Sequence, residues 1–405
     1  MKVAIIGGGA SGFFAAINVK ENYPQAEVCI FEKTKKLLSK VKVSGGGRCN
    51  VTNAETSIKR LTDAYPRGSK PLKKAFKIFS TSHMISWLNK RGVELEIQQD
   101  LHVFPKSQNS QTIIDCFLDA CKTLNIPIHI GKGVKNIVAK NQNLYLEFIK
   151  EDTPSLEFDK VIVAIGGTPK RKNLEWLEKL GHKIEEPIPS LFTFNMPDES
   201  ITKLMGIVVE ESKVSVQSTK LKSDGPLLIT HWGMSGPAIL KLSAFGARIL
   251  EEKNYQFKIQ VNWVNELNNA IVLDALKSLV QSYPQKQLQN YRPYKLPLRL
   301  WHHLLQKTGL SLDKKWQDLG KKGLNKLVDI LAHDIYRVSG KTTFKEEFVT
   351  CGGISFESID SSTMQSKVIP NLYFAGEVMN IDGITGGYNF QSCWTSAFIA
   401  AKLGD

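Results

Sequence analysis

Four short apolar runs, each ending at glycines or an acidic residue, dominate the pattern of hydrophobic and polar positions. They cover residues 2–6, 27–33, 158–167 and 371–377, and their apolar residues follow one another with little alternation. That pattern is typical of parallel strands buried on both faces. Residues 13–23, between the first two runs, have apolar positions at helical spacing. The sequence therefore predicts a βαβ unit and the fold class α/β.

The pattern changes twice in the middle of the chain. Residues 191–263 contain short β-like runs and turns, whereas residues 264–345 contain charged stretches with helical spacing, including 323–338. Because strand–glycine units lie on both sides of this region, we predict that it interrupts one α/β domain. Outside it, helices are predicted at 80–92, 110–125 and 387–404. The predicted domains are 1–190 with 346–405, then 191–263, then 264–345.

A glycine motif opens the first predicted helix. Gly7, Gly9 and Gly12 follow the first strand in the spacing G-x-G-x-x-G, and Glu32 ends the next strand. In dinucleotide-binding folds these glycines make the turn, admit the pyrophosphate and let the helix approach the strand, while the acid binds ribose hydroxyls. The motif predicts a dinucleotide site, and Glu32 disfavours the 2′-phosphate of NADP there. The alternative is a glycine turn with a structural role only.

The sequence favours FAD over NAD as the dinucleotide. We find one complete fingerprint, since residues 131–136 lack the third glycine, whereas a separate NAD(P) domain would add a second copy. Gly387, Tyr388 and Asn389 open the last predicted helix, where their N–H groups can face the pyrimidine edge of a flavin. A plain glycine-rich turn explains the same residues.

Charge adds a question about partners. The formal net charge is +14, and it is uneven. Residues 33–42 carry five lysines and no acid, and residues 59–77 carry seven basic residues against Asp63. Such segments favour a polyanion such as nucleic acid, or an anionic substrate. A solvated basic surface is the other interpretation.

Cysteine usage and hydropathy indicate in which cell compartment the protein is located. The six cysteines lack paired spacing, which predicts free thiols in a reducing compartment and no zinc or other metal site. No apolar run approaches the length of a membrane span, and no targeting segment is visible. We therefore expect a cytoplasmic protein without membrane contact. The sequence leaves the oligomeric state open, with a monomer favoured.

Several longer motifs, in conserved order along the chain, carry a family resemblance. They are GGGASG, SGGGRCNVTN, VFPKSQNSQTIID, THWGMSGPAIL, VTCGGIS, TMQSK and GEVMNIDGITGGYNFQ. The chain resembles the HI0933-like flavoproteins, a family of aminoacetone-oxidase-type and NAD(P)/FAD-dependent oxidoreductases with members similar to ribosomal RNA dihydrouridine synthases. The resemblance implies a Rossmann-like FAD-binding domain with an inserted β-barrel-like domain and a small helical domain.

The same resemblance implies the residues that hold FAD. Lys33 and Lys40 would lie near phosphates or ribose, Val134 would contact adenine through its backbone, and Glu377 and Asp382 would approach ribityl hydroxyls and the pyrophosphate. The full expected set is Gly7, Gly9, Ala10, Ser11, Gly12, Glu32, Lys33, Lys40, Ser44, Gly45, Gly46, Gly47, Arg48, Cys49, Asn50, Val134, Ala164, Gly166, Gly167, Gly376, Glu377, Asp382, Gly386, Gly387, Tyr388 and Asn389.

Two residues of this set are candidates for catalysis. The resemblance implies that residues 44–50 run along the flavin, so that side chains there would collide with cofactor or substrate. Arg48 would meet the pyrophosphate or a substrate anion. Cys49 would protonate a carbon whose neighbour receives hydride, which is the chemistry that reduces an activated C=C bond. Alternatively, Cys49 packs as a small apolar residue.

Three functions follow. The first is reduction of uridine in ribosomal RNA to dihydrouridine, with NAD(P)H as a transient electron donor and RNA held by segments 33–42 and 59–77. The second is a small-molecule enzyme, either an enone reductase or an amine oxidase. The third is a non-catalytic flavin-containing RNA-binding protein.

Overall fold

The structure is a computed structural model that describes residues 1–342 and 349–405. Within this range it divides into two compact units. The first unit comprises residues 1–190 and 349–405, and the second comprises residues 191–342. The α/β fold class expected from the apolar runs is confirmed.

The strands are numbered in chain order over the described residues. They are β1 Lys2–Ile6, β2 Glu27–Glu32, β3 Thr52–Asn53, β4 Leu95–Ile97, β5 His102–Pro105, β6 Ile128–Ile130, β7 Val134–Lys140, β8 Asn143–Phe148, β9 Leu156–Phe158, β10 Lys160–Val163, β11 Ile184–Ser190, β12 Thr193–Asn195, β13 Val208–Val216, β14 Lys222–Thr230, β15 Gly233–Ser235, β16 Gln256–Asn262, β17 Asp334–Ser339, β18 Lys341–Thr342, β19 Val349–Ile354, β20 Ile359–Asp360, β21 Gln365–Ser366 and β22 Leu372–Phe374.

The α-helices are numbered in the same way. They are α1 Ala10–Asn22, α2 Ser39–Val43, α3 Ile58–Asp63, α4 Ser69–Ile78, α5 Thr81–Asn89, α6 Ser110–Thr123, α7 Glu175–Lys179, α8 Pro237–Glu252, α9 Asn269–Ser282, α10 Leu298–Thr308, α11 Gly320–Ala332 and α12 Tyr388–Ala400.

A mixed sheet forms the centre of the first unit. Its strand order in the described chain is β20-β21-β22-β10-β1-β2-β6, and the strands from β22 to β6 are parallel. Val3, Ala4 and Ile5 of β1 have no exposed surface, as expected for a strand covered on both faces. Helices α1 and α12 pack against each other. The chain leaves β1 toward β2 and β6 on one side, and β10 and β22 lie on the other, so β1 and β10 flank a topological switch point.

The second unit combines a sheet with helices around one core. Its described strands pair antiparallel in the order β17-β16-β13-β14-β15-β12-β18. Val214 and Ile259 of the sheet belong to the same buried cluster as Trp301 and Leu327 of helices α10 and α11. The helices of the region predicted as a separate domain therefore share their core with the sheet.

One helix of this unit was not predicted, and one element prediction is wrong. Residues 237–252 form helix α8 inside the region predicted as β-rich, because Pro237 starts a helix whose apolar side packs against the sheet. The predicted helical stretch 323–338 ends as a helix at Ala332, and Asp334–Ser339 pairs with β16. Alternating burial along β17 shows that its sheet position decided its conformation.

Candidate functional site

The carboxyl ends of the parallel strands bring most of the predicted residues together. Gly7 follows β1, Glu32 ends β2, Ala164 follows β10 and Gly376 lies two residues after β22. These ends lie at the same edge of the sheet, and the switch point between β1 and β10 opens there. Ligands of open α/β sheets bind in this crevice. The site lies wholly in the first unit.

The three glycines of the first motif differ in what surrounds them. A methyl group at Gly12 would collide with the carbonyl oxygen of Gly7, and one at Gly7 would collide with the carbonyl of Ala164. At Gly9, by contrast, no described atom lies within 4 Å of a methyl position. Gly7 and Gly12 therefore permit close packing of turn, helix and strand, whereas Gly9 leaves open space for an approaching group.

Glu32 is held by the turns beside it. One carboxylate oxygen accepts a hydrogen bond from the Gly8 N–H at 2.8 Å, and the other accepts one from the Thr34 N–H at 2.8 Å. A carboxylate offers about four acceptor positions, so two remain for hydroxyl donors. Glu32 thus fixes the glycine turn while keeping the capacity that the sequence predicts for ribose. Lys33 is exposed at the end of β2, and its Cβ lies 3.0 Å from a methyl position on Gly133, next to Val134.

Glu377 and Lys40 form a connected pair at the same edge. The Lys40 ammonium lies 2.7 Å from a Glu377 carboxylate oxygen, and the Thr350 N–H donates to the other oxygen at 3.0 Å. Gly167 passes close by, since a methyl group there would meet the Glu377 carboxyl carbon at 2.7 Å. Ser11 in turn lies against Gly376, where an added methyl group would collide with its hydroxyl. Four predicted segments therefore meet at this point.

The edge fits a dinucleotide with a pyrophosphate. Open space lies over Gly9, Gly46, Gly47 and Gly166, where no described atom comes within 4 Å of a methyl position. Helix α1 begins after Gly9, and over the described residues no side chain caps it and no acid occupies its first turn. Its N–H groups therefore remain available to an anion. The residues present are those that FAD would need.

The loop at residues 44–50 has a backbone that few other residues can adopt. Gly45, Gly46 and Gly47 have φ angles of 57°, 68° and 86°, in the left-handed region. A methyl group on Gly45 would also lie 2.9 Å from the Asn50 nitrogen. The three glycines thus allow the left-handed backbone of the loop, and Gly46 and Gly47 also leave open space above it.

Cys49 ends this loop in a strained and buried position. Its φ is 63°, which is uncommon for a residue with a side chain, and its exposed fraction is 0%. Its N–H donates to the Ser44 carbonyl at 2.9 Å. Burial raises the pKa of the thiol to about 12, partly offset by a hydrogen bond with Ser44. The thiol lies within the apolar core of the first unit, the surroundings that the alternative interpretation describes, and it stays protonated at neutral pH. Its role as a proton donor stays a prediction.

Arg48 lies over an aromatic ring. Its guanidinium carbon is 4.2 Å from the centroid of Phe104, and its Nε donates to the Gly45 carbonyl at 3.2 Å. His102, two residues before Phe104 on β5, lies beside Gly386, where its Nε2 is 2.7 Å from a methyl position. Burial, together with nearby Arg48, lowers the pKa of His102, although Asp100 raises it. His102 is therefore neutral at pH 7.

His102 and Phe104 were missed by the sequence interpretation. Phe104 lies within the motif VFPKSQNSQTIID, which carries part of the family resemblance, and His102 directly precedes it, but no local pattern assigns either residue to a site. Their spacing could have indicated that they belong together, since residues i and i+2 of a strand face the same side of the sheet.

The cysteine loop and the last helix are joined by hydrogen bonds. With its amide oriented to satisfy both ends, Asn50 accepts from the Gly387 N–H at 3.2 Å and donates to the Thr52 carbonyl at 2.8 Å. The Trp394 ring N–H donates to the Val51 carbonyl at 2.8 Å. One N–H predicted to face the flavin is thus bound by Asn50. The Tyr388 and Asn389 N–H groups lie in the first turn, where the helix itself supplies no acceptor.

The sequence of the chain also matches a known protein family. The model of the HI0933-like protein Rossmann domain matches residues 1–403. The chain belongs to the HI0933-like family. It is an FAD-dependent oxidoreductase, and the predicted resemblance is confirmed.

Curated relatives of this HI0933-like protein match it along nearly its whole length. Ribosomal RNA dihydrouridine synthases are 27% identical in Haemophilus influenzae and 28% identical in Escherichia coli, each covering 98% of this chain and 96% of the relative. A 3-dehydro-bile acid delta(4,6)-reductase of Clostridium scindens is 22% identical and covers 99% of this chain and 98% of the relative.

The structure was also searched for membrane-spanning helices, metal sites and disulfides. Over the described residues, no helix of this HI0933-like protein is long and apolar enough to span a bilayer, and no cluster of three or more metal-ligating side chains occurs. None of the six cysteines, all of which lie in the described residues, forms a disulfide.

Asp382 takes a different position from the other predicted acids of this HI0933-like protein. Its side chain has no exposed surface, and Arg67 forms a bidentate ion pair with it, with an Nε to Oδ1 distance of 2.5 Å. The Ser190 hydroxyl donates to it at 2.6 Å. The carboxylate is therefore held within the protein, where it fixes the loop that leads to α12.

Replacing Arg67 by methionine is expected to lower the free energy of unfolding by about 3–5 kcal/mol, because it leaves a buried carboxylate without its cation. Chemical denaturation of the FAD-loaded protein measures this. Lys106→Met is the control, since Lys106 and Glu94 form an exposed pair whose loss costs under about 1 kcal/mol. Equal losses in the two variants would contradict a stabilising role for the buried pair.

Proposed function

We propose that this protein reduces the C5=C6 bond of uridine in ribosomal RNA. The overall reaction converts uridine, NAD(P)H and a proton into dihydrouridine and NAD(P)⁺, so two electrons and two hydrogens enter one C=C bond. Support comes from relatives at 27–28% identity over 96–98% of both chains, whose names state dihydrouridine synthesis in ribosomal RNA. The observation that carries the proposal is the loop of bare glycine backbone at residues 45–47, with open space over Gly46 and Gly47 and Cys49 at its end.

FAD would be held by the turn at Gly9, the N-terminus of α1, Glu32 and the loop 44–50. When bound, it supplies hydride to C6 of the uracil, having received it from NAD(P)H. All other contributions come from the chain itself.

In this proposal Cys49 provides the proton that completes the reduction, and because its thiol has no exposed surface, the loop 44–50 has to move before the sulfur can reach C5. Hydride addition at C6 places negative charge on C5 and O4 of the base, and the thiol protonates C5. A thiol is a far stronger acid than the C–H bond that forms, so transfer is favourable even though burial raises the thiol pKa to about 12. Water restores the proton to sulfur while the loop is open. Because a thiolate is costly in this apolar position, Cys49 returns to its neutral form after each turnover.

Arg48 and His102 surround the same loop with polar groups. Arg48 is half-buried over the Phe104 ring and its Nη1 donates to Gln108 Oε1 at 3.3 Å, so its other N–H groups are the ones proposed to meet a phosphate or the O4 side of a pyrimidine. His102 is neutral and lies beside Gly386, so it can donate or accept one hydrogen bond without adding charge. We assign both residues to substrate positioning.

A strain lacking the gene tests the proposal. Its ribosomal RNA, digested to nucleosides and analysed by mass spectrometry, is expected to lose dihydrouridine that the wild-type strain contains. Mapping by fragment mass should place the loss at a single position, and the wild-type gene should restore it. Unchanged dihydrouridine would contradict the proposal.

A second candidate is the reduction of a small conjugated enone. The specific observation in its favour is the bile acid delta(4,6)-reductase, which is 22% identical over 98–99% of both chains. The same proton donor would serve, because an enone also develops negative charge next to its carbonyl. Rapid oxidation of NADH-reduced enzyme by small enones, without any effect of RNA, would favour this candidate.

A further inference from the structure

Helix α4 presents a row of lysines on one face. Lys70, Lys73, Lys74 and Lys77 are all exposed, and they have the spacing i, i+3, i+4 and i+7. Residues at this spacing lie above one another on a helix surface. The four ammonium groups, here called the lysine row, extend along about 10 Å of the helix axis.

The charges of the lysine row repel one another along the helix. None of the described carboxylates forms an ion pair with these lysines, although Asp360 attracts Lys74 at longer range, and α4 has no acid in its first turn. Like charges at i,i+4 each destabilise a helix by about 0.2–0.5 kcal/mol. The opposite face, with Leu72, Ala75 and Phe76, is buried and holds the helix in place. Folding thus explains the apolar face, whereas the only favourable interactions found for the row among the described residues are the attraction of Lys74 by Asp360 and the place of Lys77 in the last turn.

Helix α4 begins beside the candidate site. Gly68, which precedes it, lies against Ile381, since a methyl group on Gly68 would be 2.7 Å from the Ile381 side chain. The Tyr65 hydroxyl donates to the Tyr388 carbonyl at 2.6 Å. Helix α4 also packs against α12, whose first turn belongs to the site. The lysine row therefore extends away from the site along the surface of the same unit.

We propose that the lysine row binds consecutive backbone phosphates of the RNA that carries the target uridine. This inference rests on the proposed function and names the surface that function would use. Lysine binds a phosphate as a point charge, without reading sequence. A membrane surface is less suited, because a helix that lies on lipid needs an apolar face toward the lipid, and that face of α4 is buried.

The test compares two holoenzyme variants of equal charge. In the first, Lys70, Lys73, Lys74 and Lys77 are all changed to glutamine. In the control, Lys220, Lys222, Lys321 and Lys322 are changed to glutamine, since these four are exposed on other elements. Both variants lose four positive charges. A third variant, with arginine at all four positions of the lysine row, keeps the charge.

Binding is measured with an in vitro transcript of ribosomal RNA at several salt concentrations. Four phosphate contacts on single-stranded RNA make affinity fall by about 50-fold between 50 and 200 mM salt, and the row variant should lose this part of the dependence. The slope of log affinity against log salt should therefore decrease by about 3. The control and the arginine variant should keep the wild-type slope. FAD absorbance and thermal unfolding verify that all variants are folded.

The outcomes separate this inference from the proposed function. An unchanged slope in the row variant, or an equal loss in the control, overturns the lysine row as the RNA surface while leaving the dihydrouridine assay to decide the function. A reduced slope together with unchanged dihydrouridine in the deletion strain supports the row and overturns the proposed reaction. If the row variant binds RNA as well as the wild type does but no longer binds vesicles of anionic lipid, the lysine row belongs to a membrane surface and the inference is overturned.

Discussion

Cys49→Ala is expected to keep FAD bound and to lose about 100- to 10,000-fold in the rate of substrate reduction, the usual contribution of a positioned proton donor. The sulfur is fully buried, so its removal takes away the acid without exposing the loop. Alanine also keeps the Cβ that Cys49 already carries at a φ of 63°, so the backbone gains no new strain. The measurement is the rate of dihydrouridine formation in a single turnover, with reduced holoenzyme and RNA mixed without oxygen.

Cys121→Ala is the matched control for this experiment. Cys121 is also buried, on helix α6, and burial raises the pKa of its thiol to about 12 as well. The substitution removes the same atoms from a core position away from the glycine loop. It should lower stability slightly and leave the single-turnover rate unchanged. Cys49→Ser, which keeps a weaker acid, should fall between wild type and alanine.

The pH profile gives a second readout. A thiol of ordinary pKa, about 8.5, would lose its proton over the range from pH 8 to 9 and stop acting as an acid. Cys49 has its pKa raised to about 12, so the rate of the proton-dependent step should not fall between pH 7 and 10. A fall centred near pH 8.5, or a Cys49→Ala variant as fast as wild type, would exclude the thiol as proton donor.

The glycine motif could be predicted because its requirements are local. A strand, three glycines at fixed spacing and an acid at the end of the next strand lie within 32 residues, and each has a steric or hydrogen-bonding reason. The structure places Gly7, Gly12 and Glu32 in such contacts. The role of the loop 44–50 came only from the family resemblance. The family model confirms that resemblance, and the role of the loop stays a prediction.

Other features depend on partners far away in the chain. Arg67 and Asp382 are 315 positions apart, and neither has a neighbour that indicates the pair. His102 meets Gly386 only because β5 and the turn before α12 lie together. In the second unit, Asp334–Ser339 becomes a strand through pairing with β16, against a local pattern that continues a helix. Such contacts are set by tertiary structure, which periodicity along the chain does not report.

The different surroundings of Gly9 and Gly12 predict opposite effects for the same substitution. Gly12→Ala places a methyl group against the Gly7 carbonyl, between a buried helix and a buried strand, where neither backbone can move away. We expect a loss of at least about 3 kcal/mol in the free energy of unfolding, at the upper end for overpacked cores. Denaturant unfolding of the protein without FAD measures it, and soluble protein should be scarce.

Gly9→Ala should fold normally and bind FAD poorly. Gly9 has a φ of −97°, which alanine adopts without strain, and a methyl group there meets no described atom within 4 Å. If that open space receives the pyrophosphate, the methyl group occupies it and FAD affinity should fall by about 10- to 100-fold, equivalent to 1–3 kcal/mol of crowding. Quenching of flavin fluorescence during titration of the FAD-free protein gives the affinity. Gly92→Ala is the control, because a methyl group at Gly92 also meets no described atom within 4 Å but lies outside the site. The φ of 77° at Gly92 means that this substitution lowers stability somewhat, but FAD affinity should stay unchanged. Wild-type FAD affinity in Gly9→Ala would mean that the pyrophosphate lies elsewhere on the sheet edge, because no steric reason would then require a glycine at position 9.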